Sequence, residues 1–171
     1  TENEVQAALE EFGDLKGLIL DLRQNPGGLL SEGVGVADKF LRKGAVIVSH
    51  RGRSSPEKVY RASRGNGGKE YALVVLVNRG TASAAEIVAG AIQDQDRGIV
   101  AGTTSWGKGL VQSVYTLSDG AGLALTTAKY YTPSGRCIQR DYKEYIEYVT
   151  PADEEESDSE PGDASKKEVF R

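Results

Sequence analysis

The run ALVVLV, Ala72 to Val77, contains no polar residue. A strand with one face in water alternates apolar and polar positions, whereas one that is apolar throughout belongs in a sheet covered on both faces, the habit of parallel sheets. Parallel neighbours need a crossover long enough to hold a helix. The chain supplies one at once in ASAAEIVAGAIQDQ, Ala82 to Gln95, where Ala85, Val88, Ala89 and Ile92 share a helical face, and GIVAG is the next strand. Upstream, Val5, Ala8, Leu9 and Phe12 are spaced as on a helix that Gly13 and Asp14 end. GLILDL, Gly17 to Leu22, reads as a buried strand and RQNPGG as a turn. Leu29 to Leu41 reads as a helix weakened by Gly33 and Gly35, AVIVSH as a strand and RGRSSPEK as an exposed loop. Strand and helix alternate, which predicts an α/β fold.

A chain of 171 residues is long enough for one domain with a sizeable core. The net charge of −4 offers no basic surface for nucleic acid. A single cysteine, Cys137, excludes an internal disulfide and a cysteine-built metal cage, and a single histidine, His50, argues against a histidine-built metal site. No apolar run approaches the ~20 residues of a membrane-spanning helix. The chain starts at Thr1 without a methionine and reads as a stretch of a longer polypeptide. From Pro151 onward it is acidic and nearly free of large apolar residues, the composition of disorder.

GTTSWGKGLV, Gly102 to Val111, comes within one residue of a phosphate-binding loop, with Gly109 where serine or threonine would bind the nucleotide's magnesium. The residues beyond Lys108 decide against a nucleotide. LVQSVYTL alternates, SDGAG is a turn and LALTTAKYY alternates again, so this stretch is a β-hairpin. A phosphate-loop lysine opens a helix whose N-terminal N–H groups hold the phosphate; here the lysine opens a strand.

Ser83 sits where the apolar strand gives way to the helix. There its hydroxyl can project at a helix N-terminus, and the next amide, Ala84 N–H, can support a developing oxyanion. SAAE, Ser83 to Glu86, is also a capping box, which accounts for the same residues without any chemistry. A serine nucleophile needs a base. His50 lies in another strand with no neighbouring motif, and a neutral, buried lysine is the other choice. Spacing alone leaves Lys108 open between that role and a solvated turn residue.

The blocks GLILDLRQNPGGLL, LVVLVNRGTASAAEIVAGAIQD, GTTSWGKGLVQ and LTTAKYYTPSGRCIQ, in that order between about Val5 and Gln139, resemble the C-terminal processing peptidases, or tail-specific proteases. The resemblance implies a Clp-protease/crotonase-like core with a Ser-Lys dyad. It puts the nucleophile on Ser83, the base on Lys108, with Trp106 in place of the family's usual phenylalanine, and a lysine-orienting glutamine on Gln112, with Glu86, which also suits the cap, as the competing orienter. It puts the oxyanion donors on Ala84 and on Gly27 or Gly28. It implies a catalytic core over residues 1–140, truncated on its N-terminal side and without the family's PDZ domain, then an acidic tail or interrupted insertion over 141–171. It further implies protein substrates bound by their C-terminal segments, no cofactor, no nucleotide, and a bacterial envelope or periplasmic setting. Two other readings of such a core are a non-catalytic peptide-binding module and a crotonase-like acyl-CoA enzyme.

Overall fold

A computed structural model describes residues 1–118 and 120–141. The elements run α1 (Glu2–Phe12), β1 (Gly17–Asp21), α2 (Leu30–Asp38), β2 (Val46–Gly52), β3 (Ser55–Arg61), β4 (Ala72–Val77), α3 (Ala84–Asp94), β5 (Ile99–Gly102), β6 (Leu110–Thr116) and β7 (Gly122–Tyr131). They build two sheets. One is parallel, in the order β1-β4-β5; the other is antiparallel, in the order β3-β2-β7-β6. Helices α2 and α3 pack on each other and both touch β2. Phe40, Leu41, Ile47, Val48, Val75 and Ile92 are fully buried. Ala85, Val88, Ala89 and Ile92, the predicted inner face of α3, are all buried. The expected tail of 141–171 lies outside the described residues beyond Asp141.

Two expectations change. RGRSSPEK is not a loop, because β2 runs on to Gly52 and turns at once into β3, paired from Gly52↔Ser55 to Val46↔Arg61. This edge strand is mostly exposed, polar, and carries Pro56, which an edge tolerates because its N–H side need not pair. Such a strand gives no apolar signal. The parallel sheet is also covered by the described residues on one face only. Leu73, Val75 and Val77 are buried, but the row Ile19, Val74 and Ile99, aligned across β1, β4 and β5, faces outward with Ile19 67% and Ile99 68% exposed. An apolar strand announces burial without saying which chain segment provides it.

His50, on β2, lies among Tyr60 and Tyr130, with Tyr60 Oη 3.3 Å from its Nε2. Its Nδ1 is buried with no hydrogen-bond partner among the described residues. Burial, helped by the nearby Lys58 ammonium, pushes the imidazole below its ordinary 6.5. The unfolded chain therefore binds this proton more readily, and the histidine's contribution to stability is lost as pH falls below 6.5 through the lowered value. His50→Phe removes that contribution. The melting temperature of the variant relative to wild type should climb between pH 7.5 and pH 5; a difference that stays constant would contradict this account.

Candidate active site

Three loops meet at the N-terminus of α3. The segment after β1 is stitched to the end of β4 and the loop that follows it at four points. Leu22 N–H donates to Leu76 O at 2.9 Å, Gln24 N–H to Asn78 Oδ1 at 2.9 Å, Ala82 N–H to Asn25 O at 2.9 Å, and the buried Thr81 hydroxyl to Leu22 O at 2.7 Å. The third loop joins through Trp106 N–H, which donates to Thr81 O at 2.9 Å.

Ser83 stands at this junction with φ 55° and ψ −120°, a conformation that an L-residue with a side chain adopts at a cost of about 1–3 kcal/mol. The capping box predicted for SAAE is present, but its two halves are unequal. Glu86 Oε2 accepts the Ser83 N–H at 2.8 Å. The Ser83 side chain faces the Glu86 amide in return without making a cap hydrogen bond, because that amide donates to Ser83 O at 2.9 Å. The half-buried hydroxyl makes no side-chain cap hydrogen bond among the described residues.

Gly27 packs directly against the serine. A Cβ there would lie 2.5 Å from Ala82 O, 2.7 Å from Ala84 N and 2.8 Å from Ser83 Cβ, and its φ is 87°. Only glycine lets the chain pass this close. The Gly27 N–H donates to Asn25 Oδ1 at 2.9 Å, in the side-chain turn that asparagine favours. Gly28, exposed beside it, keeps its N–H free of any partner among the described residues, and so does Ala84 at the first position of α3. The two glycines that the sequence leaves equivalent thus divide the work: Gly27 supplies the close approach, and Gly28 supplies an unspent donor.

Lys108 comes to the site through its main chain, its N–H donating to Glu86 Oε2 at 2.8 Å. Its side chain is exposed, not buried as a neutral lysine base requires. The preceding loop is open on that side, with Thr103 and Thr104 exposed as well. Gln112 is exposed on β6 opposite Thr126. Lys108 leads into a strand and not a helix, as the alternation predicts. Asn25, Asn78, Thr81 and Ser105 take part in the junction without having stood out in the sequence; the N-P-G-G and N-R-G turns are the signals that mark the two asparagines.

Parallel and antiparallel sheets combined in this way are an arrangement that other proteins share. A model of peptidase family S41 matches residues 1–151. The chain belongs to peptidase family S41. It is 48% identical over 146 residues, 81% of the chain, to the carboxy-terminal-processing protease of Bartonella bacilliformis, and 44% identical over 143 residues, also 81% of the chain, to a chloroplastic C-terminal processing peptidase of Tetradesmus obliquus. Among solved structures it matches the photosystem II D1 C-terminal processing protease with a TM-score of 0.69 and 42% identity over 81% of this chain and 37% of that one. The S41 fold seen here is Clp/crotonase-like, mixing parallel and antiparallel sheets. The chain spans about a third of the length of these relatives, 33% and 31% of the two sequences.

Proposed function

We propose that this S41 chain is the catalytic core of a serine peptidase that cuts protein substrates near their C-termini, with Ser83 as nucleophile and Lys108 as general base. The observation that carries the proposal is Ser83 itself: a serine in a strained backbone conformation, its hydroxyl unspent, with Gly27 against its Cβ and the free Ala84 and Gly28 N–H groups nearby. Strain of this kind persists only where the surroundings over-determine it, and it gathers at reacting groups.

The neutral Lys108 amine takes the Ser83 hydroxyl proton as Oγ bonds to the scissile carbonyl carbon. The carbonyl oxygen becomes an oxyanion, which Ala84 N–H and Gly28 N–H stabilise. The carbon–nitrogen bond then breaks and the lysine ammonium gives its proton to the leaving amine, leaving the substrate's acyl group as an ester on Ser83. Lys108 next takes a proton from water, hydroxide adds to the ester carbon, and the proton returns to Ser83 Oγ as the acid leaves. Gln112 holds the amine toward Ser83 without charging it, since an amide oxygen accepts a hydrogen bond and carries no negative charge. For the lysine to serve, its exposed side chain has to fold in toward Ser83 when the open side of the site is covered by substrate or by further polypeptide.

The bacterial envelope or periplasmic setting that the family resemblance implies is part of the same proposal. The test is acyl-enzyme capture. The complete gene product, treated with a fluorophosphonate, should gain one adduct that peptide mapping locates on Ser83, and it should hydrolyse a peptide bearing a C-terminal extension. Hydrolysis that survives in Ser83→Ala, or an adduct on another residue, would remove this reading.

A further inference from the structure

Glu86 is a carboxylate only 6% exposed, and burying a charge is expensive unless hydrogen bonds replace the lost water. Four donors do so. Oε2 accepts Ser83 N–H and Lys108 N–H, each at 2.8 Å; Oε1 accepts Gly107 N–H and the Ser105 hydroxyl, each at 2.7 Å. Capping α3 needs only the first of these bonds. The other three all come from 105–108, a turn about twenty residues further along the chain that has no part in ending or starting the helix.

We propose that Glu86 and Ser105 are positioning residues that set the spacing of nucleophile and base. This rests on the Ser-Lys reading above. A single oxygen atom is shared by the backbone amides of Ser83 and Lys108, so the two main chains cannot separate further than those two bonds reach end to end. The same bond draws the Ser83 N–H inward and so favours the positive φ seen there. The Ser105 hydroxyl occupies the second oxygen together with Gly107 N–H, which fixes how the carboxylate is turned and therefore which oxygen the catalytic pair shares. Neither residue needs to touch substrate. Each acts through where it puts another.

The experiment uses the complete gene product and measures kcat, KM, the rate of Ser83 labelling by a fluorophosphonate, and the melting temperature. Glu86→Gln keeps the shape but turns one acceptor into an NH₂ that faces two donors. It should lower kcat and the labelling rate about 100-fold with KM within about threefold, as expected when a reacting group is misplaced by roughly an ångström. Ser105→Ala should cost about tenfold in kcat, and Ser105→Thr, which keeps the hydroxyl, should recover most of it. The double variant Glu86→Gln/Ser105→Ala should be no slower than Glu86→Gln alone, because both act through one carboxylate. If Glu86→Gln fails to fold, the Ser105 alanine–threonine pair decides alone. Folded Glu86→Gln or Ser105→Ala with kcat within about twofold of wild type would overturn the proposal, as would losses that merely track the folded fraction. Lys108→Ala is the reference arm. If it is inactive while the Glu86 and Ser105 variants are normal, only the positioning role falls. If Lys108→Ala itself turns over normally, the Ser-Lys reading falls and takes this one with it.

Discussion

Ser83→Ala and Lys108→Ala are each expected to lower kcat by at least about four orders of magnitude in the complete gene product, because members of one catalytic unit are not additive and losing any one leaves only binding and oxyanion stabilisation. Lys108→Arg should fail as completely, since a guanidinium does not give up its proton. Gln112→Ala should cost less, because it removes an orienting bond and not a reacting group. Ser83→Gly is the informative control. It should be as inactive as the alanine variant, yet it relieves the φ of 55° that alanine retains, and so it should be the more stable of the two by about 1 kcal/mol. Equal stability would show that the positive φ is not a strained state held by its surroundings. Near-normal turnover in Lys108→Ala would leave His50 as the base to examine, and its place among Tyr60 and Tyr130 makes that an unpromising substitute.

How legible each feature is in the sequence depends on how locally it is encoded. The apolar run of β4, the inner face of α3 and the alternation of β6 and β7 are written in consecutive residues, and all form as expected. β3 escaped because an exposed polar edge strand has no apolar period. The outward row Ile19, Val74 and Ile99 escaped because hydrophobicity records the need for cover and not its source. In the proposed site, the serine and the lysine stand out in the sequence only as residue types in a family pattern. The geometry around them is not legible there, because it is carried by contacts between distant segments. The two bonds from Gly107 and Lys108 to Glu86 cross the gap between α3 and the loop before β6. Asn25, through its side chain, splits the roles of Gly27 and Gly28. Burial of Lys108 was expected from chemistry and is not present, since the need of a base for a dry site says nothing about which segment dries it.

Gly27→Ala should be the most damaging change in the site that leaves every reacting group in place. The new methyl carbon would start 2.5 Å from Ala82 O, 2.7 Å from Ala84 N and 2.8 Å from Ser83 Cβ, and two of those atoms are backbone in a buried stretch. None is the far end of a flexible side chain that can swing away. Relaxing the torsion does not help, because φ 87° is itself unfavourable for alanine. The 25–28 loop must therefore back away from α3, and under the proposed oxyanion assignment this moves the Gly28 N–H away from the Ala84 N–H. Losing one of two oxyanion donors costs about 10²–10³ in kcat. The expected result is a drop of that size in kcat with a smaller change in KM, together with a lowered melting temperature. Gly28→Ala separates sterics from sequence. Its Cβ would meet nothing within 4 Å, and so its melting temperature should stay at the wild-type value. A Gly27→Ala protein with wild-type kcat and melting temperature would mean that the loop does not press on Ser83, and the oxyanion assignment to Gly28 would go with it.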